Sequence, residues 1–342
     1  MRHDEVTGYD GYTVSLVIDV HTHMLADQWL ALLKEHGGPQ YSVAPAGKYA
    51  EVIHSGGAPF MIPQPEMFDY PLRLRNMDRA RVDLAIVSLT CPNVYWGASE
   101  ISLRAAQVVN DDMAAAQRLY PDRIRWLASL PWQYPALAVA ELARARAAGA
   151  VGVMVLANIA SRSLTDPLFA PVWQAIDAAR LPVLVHPTAP PGVAEMDMAA
   201  YNIVPSIGFT FDTSLAIARC IYDGFFDRYP NLKIIAAHGG GALPYLAGRL
   251  DICYEHLPRC ASRIAEPPTN YLRRIYVDAV VFRLDALELA VKVHGPDNVL
   301  YGSDYPHAIG DMIGCLARVD SLPGDVRHLV REGNARRIFN LG

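Results

Sequence analysis

Eight short runs of apolar and β-branched residues recur along the chain, and segments with helical spacing of apolar residues separate them. Strand-like runs that alternate with helix-like segments are typical of a parallel sheet whose strands are joined by crossover helices. Eight such units are the number that closes a sheet into a barrel. We therefore predict an α/β fold, a (β/α)8 TIM barrel, with strands at 15–20, 82–89, 124–130, 151–156, 182–186, 233–238, 274–280 and 298–304.

The length of the chain suits one barrel that carries insertions. The chain has 342 residues, of which 52% are hydrophobic and 19% charged, so it can bury a large core. No interdomain linker interrupts the pattern, which predicts a single domain over 1–342. The segment 24–72 is rich in Gly and Pro and lacks sustained periodicity, so we expect a long loop or cap inserted after the first strand. A second excursion, 187–211, follows the fifth strand.

The charge and cysteine patterns argue against several classes of protein. The net charge is −5 and basic residues are scattered, which argues against nucleic acid or an anionic membrane as a partner. The five cysteines are widely spaced and include no C-x-x-C pair, which argues against a disulfide framework or a cysteine zinc site. The N-terminal 23 residues carry only one strand-length apolar run, so we expect no signal peptide, no membrane span and a cytoplasmic protein.

The stretch "IDVHTH" places two histidines at the end of the first predicted strand. Side chains at i and i+2 of a strand point to the same face, so His21 and His23 can converge on one ion. An isolated pair of this kind is also compatible with one core histidine and one solvated histidine. His186 ends the fifth strand and Asp304 ends the eighth. Four such groups at the carboxyl rim of one barrel form a suitable ligand set for zinc.

His238 ends the sixth predicted strand, in "AAHGGGALPYLAGR". Its imidazole has three possible roles: a further metal ligand, a structural group held by the glycine turn, or a general base beside the metal. We favour the base. The three glycines that follow allow the backbone to approach a ligand closely, although a tight turn before a helix needs them as well.

These residues resemble the amidohydrolase superfamily, specifically the amidohydrolase-related branch that includes aminocarboxymuconate-semialdehyde decarboxylase. The resemblance implies that His21, His23, His186 and Asp304 hold one divalent metal ion. It further implies that His238 acts as acid and base beside the catalytic Asp304, and that the protein is a homodimer. The motifs that carry the resemblance occur in order through nearly the whole chain: "DVHTH", "RNMDRARVDLAIV", "VLVHP", "HGGGALPYLAGRLD", "VDAVVF", "ALELAV", "GSDYP" and "GNARRIFNL".

The lysines bear on the number of metal ions. Binuclear members of the superfamily bridge two ions with a carbamylated lysine, typically on the fourth strand. None of the four lysines here lies at the carboxyl end of a predicted strand, which predicts a mononuclear site. Because the ligands combine imidazole nitrogen with one carboxylate, we expect Zn²⁺, and Mn²⁺ tolerates the same set.

The resemblance implies non-oxidative decarboxylation of a small unsaturated or aromatic carboxylic acid, with metal-bound water or hydroxide as the reactive species and His238 as acid and base. The same groups suit the hydrolysis of a lactone, amide or related carbonyl compound, and this alternative stays open at the level of sequence. A metal-binding barrel without activity is a third reading. We predict that His238→Ala keeps the metal and loses most turnover, whereas His186→Ala loses the metal.

Three cationic positions concern the substrate. The family's carboxylate-binding arginine is expected after the first strand, but the segment 24–72 contains no arginine, and Lys48 and His54 are candidate cationic or near-cationic groups there. Arg249 matches a family position whose guanidinium reaches the neighbouring subunit's site, where it would bind a substrate carboxylate; an ordinary surface ion pair is the alternative. We expect Arg73 to brace the scaffold.

Overall fold

The computed structural model describes residues 15–46 and 49–342, and its central feature is an eight-stranded parallel sheet. The strand order is β1-β5-β6-β7-β10-β11-β12-β13, which confirms the predicted barrel. In chain order the strands are β1 (Ile18–His23), β2 (Tyr41–Ala46), β3 (Tyr49–Ser55), β4 (Ala58–Met61), β5 (Leu84–Ser88), β6 (Ile124–Ala128), β7 (Gly152–Leu156), β8 (Asn158–Ile159), β9 (Arg162–Ser163), β10 (Pro182–His186), β11 (Lys233–Ala236), β12 (Tyr276–Asp278) and β13 (Val299–Leu300).

The barrel closes between β1 and the chain that follows β13. The backbone N–H of Val20 donates to Tyr301 O over 3.0 Å, and that of His23 donates to Tyr305 O over 2.8 Å. A parallel bridge also joins Thr22 to Tyr305. These bonds lie beyond the end of β13, so the eighth strand is shorter than the predicted 298–304 although the chain continues alongside β1.

Helices connect the strands and cover the outside of the barrel. Several begin with Pro in the first turn, where its missing N–H leaves no hydrogen bond unmade. The helices are α1 (Asp27–His36), α2 (Tyr70–Ala80), α3 (Ser99–Leu119), α4 (Pro135–Ala147), α5 (Ala170–Ala179), α6 (Phe209–Tyr222), α7 (Phe225–Arg228), α8 (Ala237–Gly240), α9 (Leu243–His256), α10 (Pro268–Leu272), α11 (Leu284–His294), α12 (Met312–Asp320), α13 (Gly324–His328) and α14 (Asn334–Phe339). Of these, α8 is a short turn with positive φ at His238 and Gly239 and not a regular helix.

The insertion after β1 has more regular structure than the sequence suggested. The prediction was a long loop or cap over 24–72, but this segment contains helix α1 and the antiparallel sheet β2-β3-β4. The term loop is therefore wrong for most of it. Register shifts interrupt its ladders, and Pro45 and Pro59 lie within β2 and β4, so the alternation of apolar and polar residues is weak. We call β2, β3 and β4 the cap sheet.

The amino end of the barrel is held by polar side chains that bind backbone carbonyls. Lys233, the first residue of β11, donates from Nζ to Ile338 O over 2.9 Å. Asn334 is fully buried, and its Nδ2 donates to Pro296 O and Val299 O, each over 2.8 Å. These bonds tie α14 to the start of two barrel strands. Among the described residues, no helix combines the length and apolar character that crossing a bilayer requires.

Candidate active site

His21, His23 and His186 come together at the carboxyl end of the barrel, as the sequence predicted. His23 is the last residue of β1, and His186 is the last residue of β10. The ring centroids lie 5.0 Å apart for His21 and His23, 5.1 Å for His21 and His186, and 4.8 Å for His23 and His186. All three side chains are buried in the described structure. Two strands that are distant in sequence thus bring three imidazoles to one point.

Asp304 reaches the same point from beyond the end of its strand. It was predicted to end the eighth strand, but β13 ends at Leu300 and Asp304 has a left-handed backbone, with φ 58°. Its N–H donates to His21 O over 2.8 Å, which holds the turn in place. Its Oδ1 lies 3.1 Å from His23 Nε2 and 3.4 Å from His21 Nε2. The left-handed turn, and not the strand, therefore aims this carboxylate at the imidazoles.

His238 also follows its strand and does not end it. Strand β11 ends at Ala236, and His238 has φ 57°, a conformation that is uncommon for a residue with a Cβ. The ring centroid lies 5.1 Å from that of His21, and Nε2 lies 3.5 Å from Asp304 Oδ2. The next residue, Gly239, also has a positive φ, and a Cβ there would meet Val281 Cγ1 at 2.6 Å. The glycine turn is thus required by the backbone, and it presents the imidazole beside the cluster.

Asp278 organises the site, although the sequence analysis gave it no role. Its carboxylate lies 2.6 Å from His21 Nδ1 and accepts backbone N–H bonds from His238, Gly239 and Val280 over 3.0–3.1 Å. Burial acts to lower the pKa of His21, but contact with Asp278 overrides burial and raises that pKa. A carboxylate on one ring nitrogen orients the other nitrogen as a ligand. The available signal was an aspartate within the apolar run "RIYVDAV".

A buried guanidinium supports β1 from behind. Arg73 is fully buried and donates to Thr22 Oγ1 over 2.7 Å and to the carbonyl oxygen of His23. It also lies over the ring of Tyr305, 4.8 Å from the centroid. These contacts agree with the bracing role expected for Arg73. Beside it, burial raises the pKa of Asp19 to about 7, and Ser303 Oγ donates to the Asp19 carboxylate.

A second flanking histidine, His307, was not identified in the sequence. Its ring centroid lies 5.0 Å from that of His23, and its Nε2 lies 2.9 Å from Thr90 Oγ1. One ring nitrogen of His307 lies within 4.8 Å of ligand atoms of His23 and Asp304. The signal was its place three residues after Asp304 in "SDYPH". A histidine three residues after Asp304 belongs to no motif that was recognised in the sequence, so sequence alone gives His307 no function.

The electrostatics of the cluster favour neutral imidazoles at His23 and His186 beside an ionised Asp304. Burial lowers the pKa of His23 to about 3, and burial with the neighbouring imidazoles lowers the pKa of His186 well below its usual value. Burial acts to raise the pKa of Asp304, but hydrogen bonds with His23 and His238 hold it well below its usual range. Metal ligands require these protonation states, because protonated imidazole cannot coordinate.

The donor set fits a divalent metal ion. One atom each from His21, His186, His238 and Asp304 lie within 4.8 Å of one another. Nε2 of His186 and Nδ1 of His238 are buried and have no hydrogen-bond partner among the described residues. Buried polar nitrogens without partners are costly unless a ligand satisfies them. Imidazole nitrogens and one carboxylate oxygen suit Zn²⁺ or Mn²⁺. His23, which the sequence placed in the ligand set, adjoins this group through Asp304.

A cavity of about 240 Å³ lies between the cap sheet and the carboxyl ends of the strands. Tyr41 and Phe60 line it from the cap, and Asn158 and Thr188 line it from the barrel. Thr188 lies two residues after His186, although none of the clustered histidines and aspartates itself lines the cavity. No charged side chain of the described residues lines this cavity. Its volume suits a small aromatic or unsaturated body.

The three remaining sequence candidates lie elsewhere. Lys48 lies outside the described residues. His54 lies on β3, is partly buried, and does not line the cavity. Arg249 lies on the exposed surface of α9, and it makes no ion pair within the described part of the chain. The chain's own cap therefore brings no described guanidinium to the cavity.

Comparisons with known proteins agree with this geometry. A family model described as Amidohydrolase matches residues 18–341. The chain is 31% identical over 304 residues to 2-amino-3-carboxymuconate-6-semialdehyde decarboxylase of Dictyostelium discoideum, with 87% of this chain and 84% of the relative covered. It is similar to the crystal structure of 5-carboxyvanillate decarboxylase from Sphingomonas paucimobilis, with 28% identity, a TM-score of 0.82 and coverage of 96% and 99%.

A further similar structure contains a metal ion. It is 5-carboxyvanillate decarboxylase from Novosphingobium aromaticivorans, complexed with manganese and 4-hydroxy-3-methoxy-5-nitrobenzoic acid. It is 25% identical to the chain, with a TM-score of 0.79, and all of both chains is covered.

Proposed function

We propose that this chain, which belongs to the amidohydrolase family, is a metal-dependent non-oxidative decarboxylase that acts on a small unsaturated or aromatic carboxylic acid. The relatives above are decarboxylases, which supports a carboxy-lyase. Hydrolysis of a lactone or amide finds no corresponding support in these relatives, so we do not propose it.

We propose that His21, His23, His186 and Asp304 hold one divalent ion. When bound, the ion supplies a Lewis acid that stabilises negative charge on substrate oxygens. The unpartnered Nε2 of His186 and the contact of Asp304 Oδ1 with both β1 histidines support this set. The donor types predict zinc, and the Novosphingobium relative contains manganese, so we expect the site to accept either ion. Metal analysis of purified protein decides which ion it carries.

The position of His238 is the single observation that carries the proposed reaction. Its Nε2 lies 3.5 Å from Asp304 Oδ2, and its ring lies beside His21. Asp304 thus turns one oxygen toward the β1 histidines and the other toward His238, so it can orient the imidazole while its first oxygen serves as a ligand. Nδ1 of His238 is buried without a partner in the described structure, so no other described group competes for it.

His238 is the proposed proton carrier. It gives a proton to the carbon that bears the carboxylate, and the bond between that carbon and the carboxylate then breaks. The electron pair of that bond returns to the unsaturated system, and carbon dioxide leaves. A carboxylate and a proton thus become a C–H product and carbon dioxide, so the reaction needs no redox cofactor.

The cavity beside the cluster is the proposed place for the body of the acid. Its described lining is neutral, with the aromatic rings of Tyr41 and Phe60 on the cap side. Aromatic rings at this position can pack against a planar substrate ring. The carboxylate then points away from the cap, toward the histidines.

The test is turnover of hydroxybenzoates and unsaturated acids by metal-loaded protein, with direct assay of carbon dioxide and of the product's mass. Decarboxylation predicts one carbon dioxide for each product molecule. A product that has gained water without gas release would establish a hydrolase instead. Metal-loaded protein that binds these acids and leaves them unchanged would establish a binding protein.

We also propose a homodimer in which Arg249 reaches the partner's site. Tyr245, Arg249 and Ile252 lie on one face of α9, and the two apolar side chains are 84% and 55% exposed. Exposed large apolar groups around a cation are typical of an interface. Light scattering measures the oligomeric state. If Arg249 acts across the interface, mixed dimers of His238→Ala and Arg249→Ala chains regain activity, because one of the two sites is then intact.

The compartment remains a proposal. We propose that the protein acts in the cytoplasm, and the five cysteines, which are all free, support a reducing environment. Fractionation of cells that express the untagged protein tests this location.

A further inference from the structure

Two imidazoles flank the proposed ligand cluster on different sides. The ring of His238 lies beside His21 and His186, with centroid distances of 5.1 and 5.7 Å. The ring of His307 lies beside His23 at 5.0 Å, and it forms no other close ring pair among the described residues. The proposed reaction uses His238, and it leaves His307 without a role.

Thr90 holds the ring of His307 in a defined orientation. Thr90 is fully buried just beyond the end of β5, and its Oγ1 lies 2.9 Å from His307 Nε2. The residues are 217 positions apart in sequence, so this contact joins the segments that follow β5 and β13. Because the hydroxyl both donates and accepts, this bond orients the ring in either tautomer.

The other ring nitrogen of His307 is available to a ligand. The contact with Thr90 is the one hydrogen bond that this side chain makes in the described part of the chain, and it uses Nε2. His307 is partly exposed, and its Nδ1 has no hydrogen-bond partner among the described residues. A held imidazole with one exposed nitrogen beside a metal cluster is suited to a polar substituent on a substrate.

We propose that His307, positioned by Thr90, binds an oxygen substituent of the acid substrate, and that it thereby selects acids with a hydroxyl group next to the carboxylate. This inference rests on the proposed function. A hydroxyl both donates and accepts, so it pairs with Nδ1 in either tautomer. A substrate whose carboxylate lies at the cluster places an adjacent hydroxyl on one flank of it. His238 lies beside His21 and His186, and His307 lies beside His23.

The main competing role is metal ligation, because one nitrogen of His307 lies within 4.8 Å of ligand atoms of His23 and Asp304. The contact with Thr90 argues against that role for Nε2. The two roles differ in a measurable way. Loss of a metal ligand lowers metal content. Loss of a substrate contact leaves metal content unchanged and weakens the binding of only those acids that make the contact.

The experiment measures dissociation constants of 2-hydroxybenzoate and benzoate on metal-loaded wild type, His307→Phe, His307→Gln and Thr90→Val. Wild type is expected to bind the hydroxy acid more tightly. In His307→Phe the affinity for 2-hydroxybenzoate falls about ten-fold, the scale of one hydrogen bond, while that for benzoate changes less than about two-fold. His307→Gln restores part of the preference, because its amide keeps a donor and an acceptor. His328→Phe, at an exposed histidine on α13, is the matched control.

Three results overturn the inference. If His307→Phe weakens the binding of both acids equally, His307 only packs in the site. If the variant loses metal, His307 is a metal ligand. If the wild type binds both acids equally well, the proposed subsite does not exist. Thr90→Val is expected to lower the preference by less than His307→Phe, since it frees the ring without removing it. Carbon dioxide assays on wild type are independent of these constants. A protein that shows the preference but releases no carbon dioxide keeps this inference and loses the proposed function.

Discussion

At the carboxyl end of the barrel, imidazoles and carboxylates face one another, whereas at the amino end polar side chains donate to backbone carbonyls. His186 Nε2 is buried without a partner in the described structure, but Asn334 Nδ2, equally buried, makes two bonds of 2.8 Å. Both residues belong to the same barrel domain. The difference shows that burial alone does not mark a site. An unsatisfied group aimed at similar groups indicates a missing ligand, and a satisfied group indicates a structural fastening.

The strongest test of this contrast is His186→Ala. Removing the imidazole whose Nε2 has no partner among the described residues is expected to abolish metal binding, and turnover falls below detection because the Lewis acid is lost. Elemental analysis after gel filtration measures metal content. His328→Ala, at an exposed histidine on α13, is the control. Full metal occupancy in His186→Ala would remove this residue from the ligand set and weaken the contrast.

His238→Asn is expected to have the next largest effect. Asparagine tolerates the left-handed conformation at this position better than alanine, so this variant changes the side chain and spares the turn. Metal content is expected to stay near the wild-type value, while kcat falls about 10²- to 10⁴-fold because the proton carrier is lost. If kcat stays within a few-fold of wild type, His238 is not the acid and base.

Asp278→Asn tests the support beneath the ligands. The amide cannot accept from both His21 Nδ1 and the backbone N–H groups as a carboxylate does, so His21 is held less firmly. We expect metal affinity to fall about 10- to 100-fold, the usual scale for such a partner, with a smaller loss of turnover at saturating metal. Competition with a chromophoric chelator measures the affinity. Asp251→Asn provides the control, since that carboxylate binds Thr269 far from the cluster; an equal loss there would indicate general destabilisation.

Asn334→Ala is expected to have the smallest effect on activity. It removes two hydrogen bonds at the amino end and leaves two carbonyl oxygens without them. The free energy of unfolding is expected to fall by about 1–3 kcal/mol, while metal content and kcat at moderate temperature stay unchanged. Denaturant titration measures the free energy of unfolding, and steady-state assay measures kcat. A change in metal affinity would show that the two ends are coupled.

The contrast also explains what was predictable from the sequence. Apolar runs that end in His186 or in "VHTH" mark both a strand and its carboxyl end, so the barrel and the meeting of His21, His23 and His186 follow from local pattern. The carboxyl ends of the sixth and eighth strands could not be predicted from local pattern. His238 and Asp304 lie in left-handed turns after their strands, and backbone bonds to Asp278 and His21 hold these turns.

Other features depend on tertiary contacts that no local pattern reports. Asp278 receives its role from groups on three different elements, and the orientation of His307 depends on Thr90. The cap sheet was missed because prolines and register shifts weaken the alternating pattern of its strands. In each case the decisive partner is distant in sequence, or the segment lacks a clear periodicity.

The cap sheet pairs only with itself, as a sheet separate from the eight-stranded one, yet it supplies one wall of the cavity. Such an appendage is free to diverge without disturbing the strands that carry the histidines and Asp304. Natural variation in substrate choice among homologues is therefore expected to concentrate between α1 and α2. Chimeras that exchange this segment offer a route to new substrate preferences while the barrel and its histidines stay unchanged.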